Sequence, residues 1–286
     1  MNRETGLTPA VPDPAPVEPL VDALRRPLHD LRKSLLDQCN FRCPYCMPAD
    51  EFHADYQFLK RADRLTHEEI LKVVRVAVAG GVSKIRLTGG EPLLDKSLDE
   101  LVAGIGTMAD VDDLALTPNG MLLAPRATAL SEAGLHRVTI SLDSLDPDIF
   151  RVMSGGRGQL DQVLAGIDAA AAAGLTPIKI NVVVQRGIND HTVLDLLEYF
   201  RGTGHIVRLI EYMDVGNRNG WRMDQVVPSK ELLDRIRATW PVRPVGQNYP
   251  GEVARRYQFQ DGGGEIGLIS SVTDPFCGNC SRARLS

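Results

Sequence analysis

The sequence predicts an α/β protein built on a parallel sheet, and three observations carry that prediction. From Leu31 onward, short β-branched runs alternate with helical stretches. The helical stretches open on capping patterns and stop at glycines. Six such units follow one another, which implies parallel strands joined by right-handed crossovers. Six are too few for the closed eight-fold barrel, so the pattern fits an open partial barrel or a doubly wound sheet.

The predicted strands are residues 31–36, 84–88, 114–117, 137–142, 178–184 and 206–212. Thr66 with Glu69, and Ser97 with Glu100, have the spacing of capping boxes at helix starts. Gly80-Gly81 and Gly174 stand where helices should end. After about residue 225 the pattern changes: a short helix over 229–238 leads to a hairpin of 253–260 and 265–270 around Gly262-Gly263-Gly264. This predicts a Pro-rich mobile tail over 1–28, a core over 29–225 and a small β-rich C-terminal extension over 226–286. The tail holds six of the chain's 18 prolines and no aromatic residue.

Composition limits the functions available. Of 286 residues, 43% are hydrophobic and 24% charged, which is ordinary for a globular chain with a real core. A formal charge of −5 with 5% aromatics argues against a nucleic-acid partner. Lys72, Arg75, Asp168 and Lys179 interrupt the longest apolar stretches, so no membrane span is predicted. Acids in the tail and the lack of an apolar leader argue against organelle import or secretion, and a cytoplasmic location is expected.

The five cysteines are Cys39, Cys43, Cys46, Cys277 and Cys280. An odd number clustered at two ends of the chain is a poor disulfide framework, so metal or redox chemistry is the better explanation. Cys39-x-x-x-Cys43-x-x-Cys46 can hold three irons of a [4Fe–4S] cluster and leave the fourth open to a small molecule. The alternative is zinc held by Cys43, Cys46, Cys277 and Cys280, which leaves Cys39 without a role.

Gly89-Gly90-Glu91-Pro92 follows the second strand; its glycines allow close backbone approach, and Glu91 can accept from an ammonium. An ordinary turn would read the same way. With the cysteine array, however, it resembles the signature of the radical S-adenosylmethionine (SAM) superfamily. That resemblance implies an enzyme with a partial, open (β/α)6 TIM-type barrel, whose cluster cleaves SAM reductively to a 5′-deoxyadenosyl radical.

Further motifs narrow it: Lys84-Ile-Arg86-Leu-Thr88, Ser141-Leu-Asp143, Val184-Gln-Arg-Gly-Ile-Asn189, Arg208-Leu-Ile-Glu-Tyr-Met213 and Cys277-Gly-Asn-Cys280-Ser-Arg282-Ala-Arg284. Together they resemble the GTP 3′,8-cyclase family, lyases of molybdenum cofactor biosynthesis. By position, the resemblance implies that Cys39, Cys43 and Cys46 ligate the first cluster. Tyr45, Gly89, Gly90, Glu91, Ser141 and Met213 would form the SAM site. Arg32, Lys84, Arg86, Thr117, Lys179, Arg208, Arg282 and Arg284 would bind GTP. Cys277 and Cys280 would hold a second [4Fe–4S] cluster with its open iron towards the guanine.

Also implied are a low-potential donor of flavodoxin or ferredoxin type, hand-over of product to the cyclic pyranopterin monophosphate synthase, and a homodimer. The residue chemistry agrees. GTP carries about three to four negative charges, and cations on a barrel's inner face need such a partner. Otherwise each must pair with an acid such as Glu91 or Glu211. Taken alone, Met213 reads as core filling and Ser141 as a turn cap, while His67, His136, His191 and His205 read as structural or solvent-facing.

Two departures stand out. Leu36-Asp37-Gln38 replaces the family's usual Thr-Asp-Arg, and the sequence stops at Ser286 before the third cysteine expected of the second cluster, which reads as truncation. The competing functions are a radical SAM enzyme with another substrate, such as a peptide, and a non-catalytic zinc-stabilised module.

Overall fold

The computed structural model describes residues 20–215 and 219–286. In chain order the elements are β1 (Asp30–Ser34), α1 (His67–Ala79), β2 (Lys84–Thr88), α2 (Leu98–Gly106), β3 (Asp113–Leu116), α3 (Ala127–Glu132) and β4 (Arg137–Ser141). They continue with α4 (Pro147–Met153), α5 (Leu160–Ala172), β5 (Lys179–Val184), α6 (Val193–Phe200) and β6 (Ile206–Glu211). The last part is α7 (Ser229–Thr239), β7 (Val242–Val245), β8 (Arg255–Phe259), β9 (Glu265–Ile269) and β10 (Arg282–Leu285).

All strands form one sheet in the order β10-β1-β2-β3-β4-β5-β6-β9-β8-β7. The six predicted strands pair in sequence order, each parallel to the next. The order is linear, so the barrel stays open between β10 and β7. The predicted hairpin is present as antiparallel β8 and β9. Its β9 also extends the parallel sheet beside β6, and β10 does the same beside β1 at the other edge. The C-terminal residues therefore supply strands to both edges of the barrel sheet. Long-range pairing of this kind has no local sequence pattern, which is why β7 and β10 are not predicted.

One capping box forms as read: Thr66 accepts from the Glu69 N–H, and Glu69 accepts from the Thr66 N–H at 2.8 Å. The second does not. Ser97 makes no cap bond; Asp95 Oδ1 instead accepts from the Ser97 N–H and Oγ at 3.1 and 3.3 Å, forming an Asx turn. The tail expected over 1–28 lies outside the described residues as far as residue 19. Residues 20–28 form a hydrogen-bonded hairpin where a tail is expected, because Asp22 caps its turn.

Strand alternation separates two environments. On β2, Ile85 and Leu87 are fully buried against the helices, and on β5 so are Ile180, Val182 and Val184. Each such side chain contributes roughly 1.5–3 kcal/mol by burial. The opposite faces carry Lys84, Arg86 and Thr88 on β2, and Lys179 and Asn181 on β5. The hydrophobic core is thus the sheet–helix layer, and the barrel interior is polar.

Candidate active site

Cys39, Cys43 and Cys46 lie on the loop beyond the carboxyl end of β1, all as free thiols. Arg42, buried, ties this loop together: Nη1 donates to the Cys39 and Phe41 carbonyls at 2.8 and 2.7 Å, and Nε to the Phe52 carbonyl at 3.0 Å. The Phe41 N–H points at Cys39 Sγ at 3.4 Å. Burial pushes the Cys39 thiol up to about 11 and raises Cys43 and Cys46 as well, with the Arg32 cation opposing the rise at Cys46. Arg42 carries no sequence signal for this role.

The glycines after β2 are explained by the chain itself. A Cβ on Gly89 would sit 2.7 Å from the Leu36 carbonyl oxygen, and one on Gly90 would sit 2.0 Å from that of Gln38. The close approach permits backbone bonds from Gly90 N–H to Leu36 at 2.7 Å and from Glu91 N–H to Gln38 at 2.8 Å. Gly89-Gly90 thereby clamps the cysteine loop. Glu91 is wholly buried and accepts from the N–H groups of Leu93 and Asn119. Burial pushes its carboxyl up to about 7, with those two bonds opposing.

Tyr45 donates to Asp143 Oδ2 at 2.7 Å, and Asp143 Oδ1 accepts from the Val183 N–H at 2.8 Å. Asn189 Nδ2 donates to the Asp143 and Val183 carbonyls, each at 2.8 Å. The motifs around Asp143 and Asn189 therefore fasten the cysteine loop to the ends of β4 and β5. Ser141 is half-buried in register with Asn181, and Met213, 42% exposed, follows β6 at the same end.

The barrel interior is basic. Arg284, Arg32 and Arg86 stand abreast on β10, β1 and β2. Asp113 accepts from Arg137 at 2.7 Å and lies 3.3 Å from the Lys84 amine. Arg32, Arg86, Lys179, Arg208, Arg282 and Arg284 have no ion-pair partner among the described residues. Neither Glu91 nor Glu211 supplies one; Glu211 accepts from the Ser229, Val272 and Thr273 N–H groups and the Thr273 hydroxyl.

Burial and neighbouring cations pull Arg32 down to about 10, Arg208 to about 9 and Lys179 to about 7, and also lower Arg86. Thr117 Oγ1, Asn181 Oδ1 and Arg208 Nε are buried without hydrogen-bond partners. Crowded cations beside unsatisfied polar atoms are what a site for a polyanion requires.

Cys277 and Cys280 occupy a 3-10 turn just before β10. Because β10 runs parallel to β1, this turn lies at the opposite end of the barrel from Cys39, Cys43 and Cys46. The five residues of β1 separate the ends by roughly 17 Å at about 3.3 Å per residue. At Cys280, burial raises the thiol, but Arg282 more than offsets this and leaves it below its ordinary value. A cavity of about 760 Å³ lies between the residues that precede Cys39 and the start of α1, lined by Leu36, Gln38, Phe58, Arg64 and Thr66.

Residues 34–200 match the Radical SAM superfamily, and residues 205–286 match the Molybdenum Cofactor Synthesis C family. The GTP 3′,8-cyclase of Xanthomonas campestris pv. campestris (strain B100) is 56% identical over 268 residues, 94% of this chain and 79% of that one. The enzyme of the same name from Acidothermus cellulolyticus is 53% identical over 94% of this chain and 74% of its own.

The chain belongs to the GTP 3′,8-cyclase family. Members are radical SAM enzymes of molybdenum cofactor biosynthesis that use SAM and [4Fe–4S] clusters, and this chain is one of them. The expected alternatives, another radical SAM substrate and a zinc module, give way to that assignment.

Solved structures agree on the fold alone. Streptococcus suis SuiB bound to S-adenosylmethionine superposes with a TM-score of 0.58 at 16% identity, covering 74% of this chain and 48% of that one. Methylornithine synthase (PylB) gives 0.58 at 17%, covering 74% and 62%.

The chain's donor sets suit the clusters of this cyclase family. Cys43 and Cys46 follow β1, whereas Cys277 and Cys280 precede β10, its parallel neighbour, so these four thiols lie at opposite ends of the barrel and do not form one tetrahedral site. Three soft thiols on one loop, with an N–H aimed at one and a cation beside another, match a cluster whose ligands go to separate irons. Cys277 and Cys280, on one turn beside Arg282, supply two soft thiols at the far end, one fewer than the loop after β1. His67 is bound to Asp95 at 2.7 Å, and His136 accepts from the Leu114 N–H at 3.0 Å.

Proposed function

We propose that the basic interior holds GTP between the two cysteine sites, and that this chain converts it to (8S)-3′,8-cyclo-7,8-dihydroguanosine 5′-triphosphate. The observation that carries this reading is the group of cations without acidic partners among the described residues, Arg32, Arg86, Lys179, Arg208, Arg282 and Arg284, between two sets of free thiols. SAM and its cluster, when bound, would supply the one-electron chemistry that removes hydrogen from ribose C3′; closing the C3′–C8 bond to the 7,8-dihydro product then takes one further electron, from the low-potential donor, and one proton.

The chain's residues bind and orient. Cys39, Cys43 and Cys46 hold the first cluster; Tyr45, Gly89, Gly90, Glu91, Ser141 and Met213 form the SAM wall. Arg32, Lys84, Arg86, Lys179, Arg208, Arg282 and Arg284 neutralise the triphosphate and hold the ribose and base, and the Thr117 hydroxyl satisfies a further acceptor. Cys277 and Cys280 belong to the second cluster on the guanine side. A fixed array of donors needs little rearrangement as the bond forms.

A flavodoxin- or ferredoxin-type donor supplies electrons, and the product passes to the cyclic pyranopterin monophosphate synthase. Assembly as a homodimer in the cytoplasm belongs to the same reading; no helix among the described residues is long and apolar enough to cross a membrane. Anaerobic incubation of the reconstituted protein with SAM, GTP and dithionite tests the assignment. 5′-Deoxyadenosine should form with GTP and the cyclised nucleotide should appear by mass spectrometry. 5′-Deoxyadenosine formed equally without GTP would overturn it.

A further inference from the structure

Residues 20–28 lie outside both matched regions and fold at the barrel end that carries Cys277 and Cys280. Asp22 organises them. Its Oδ1 accepts from the N–H groups of Leu24 and Arg26 at 2.9 and 3.0 Å, and its Oδ2 accepts from Arg26 Nε at 2.7 Å. Arg25 holds φ at +59°, a left-handed conformation that a residue with a side chain adopts only when its surroundings impose it. Leu20 N–H donates to the Gly80 carbonyl at 2.9 Å, which anchors the hairpin to the end of α1.

The effect is to present Arg26 with its guanidinium already fixed on one side. The other side reaches across 251 positions of sequence: Nη1 donates to the Cys277 carbonyl at 2.6 Å and lies 3.3 Å from that of Gly278. From the β1 side, the Ser281 carbonyl accepts from the N–H groups of His29 and Asp30 at 3.0 and 3.1 Å. The cysteine turn is thus gripped between the start of β1 and one arginine. Cys277 itself is exposed and a Cβ on Gly278 would meet nothing within 4 Å; the turn's own bonds are Asn279 N–H to the Phe276 carbonyl at 3.2 Å and Cys280 N–H to the Cys277 carbonyl at 3.3 Å.

We propose that Arg26 is a positioning residue for the second cluster, fixing the Cys277–Asn279 turn through its carbonyls and setting a cation beside the sulfurs. The inference rests on the reading of Cys277 and Cys280 as cluster ligands. Charge-assisted bonds to carbonyls are among the stronger hydrogen bonds, and nearby charge is one of the quantities that sets a cluster's reduction potential. Reduction adds a negative charge, so a neighbouring cation favours the reduced state.

Three variants separate geometry from charge. Arg26→Gln removes the charge, Arg26→Lys keeps it without the planar fork, and Arg26→Ala removes both. In the metal-free chain, Arg26→Ala should speed amide exchange at residues 277–281 by about tenfold or more, with the 39–46 loop unchanged. In the holoenzyme, an EPR-monitored redox titration of Arg26→Gln should move the second cluster to lower potential and leave the first in place, with Arg26→Lys restoring the wild-type value. Unchanged exchange in Arg26→Ala, or an unmoved second potential in Arg26→Gln, would overturn the proposal. Iron content that does not fall when Cys277 and Cys280 are both replaced by alanine would instead overturn the ligand reading beneath it.

Discussion

The Tyr45 hydroxyl donates to Asp143 Oδ2 at 2.7 Å, joining the cysteine loop after β1 to the end of β4 across 98 positions of sequence. Asp143 is buried, and burial pushes its carboxyl up to about 6 while the Tyr45 and Val183 bonds oppose the rise. Tyr45→Phe leaves one carboxylate oxygen buried without this donor. The expected loss is about 1–3 kcal/mol, measured by urea denaturation of the metal-free chain, with Asp143→Asn showing a loss of similar size.

Gly90→Ala places a methyl 2.0 Å from the Gln38 carbonyl oxygen, and backbone there cannot give way without moving the Cys39 loop. We expect a destabilisation of about 1–3 kcal/mol, typical of overpacking, and loss of iron from the first site. Gly246→Ala is the comparison: it has nothing within 4 Å, and its stability and iron content should match the wild type.

Arg86 stands abreast of Arg32 with no acidic partner among the described residues, and burial with neighbouring cations lowers its proton affinity. Arg86→Met should weaken GTP binding by about 10- to 100-fold, the worth of one charged hydrogen bond. The same change should hold or raise the melting temperature of the ligand-free chain by relieving repulsion. Calorimetric titration and thermal unfolding read the two effects separately.

Lys179 titrates at about 7 in the fold, against about 10.4 for a free lysine. Between those values the unfolded chain binds this proton and the folded chain does not. Stability therefore rises with pH from about 7 to 10 on account of this amine, and below about 7 the cost of burying its charge is fully present. Subtracting the profile of Lys179→Met from that of the wild type isolates the rise. A polyanion beside the amine restores its charge, so GTP binding at pH 7.5 should take up a proton. Calorimetry in buffers of different ionisation enthalpy detects that uptake, and it should vanish in Lys179→Met.

Much of this protein is legible in the sequence because the signals are local. The alternation of Lys84, Arg86 and Thr88 with Ile85 and Leu87 gives both a strand and its two environments. Thr66 and Glu69 give a helix start, and the spacing of Cys39, Cys43 and Cys46 is the pattern on which the proposed ligand set rests. Tertiary contacts decide the rest. Gly89 and Gly90 read in the sequence as positions of close backbone approach, and only the fold shows that the backbone of residues 36–38 makes that approach. Ser97 makes no cap bond, and its N–H and hydroxyl both donate to Asp95 Oδ1.

Arg26 has no local signal, and only strand pairing brings the Cys277 carbonyl within its reach; Arg42 gains its role from the way the cysteine loop folds around it. The same holds for β10: a four-residue strand of mixed polarity has no periodic signal, and only its parallel pairing with β1 places Arg282 and Arg284 in the barrel wall. Residue type and short spacing were enough to pick out the candidate side chains for iron, SAM and a polyanion. Only the tertiary structure decided that the two cysteine groups lie at opposite ends of one basic interior, because that depends on which strands pair and in which direction.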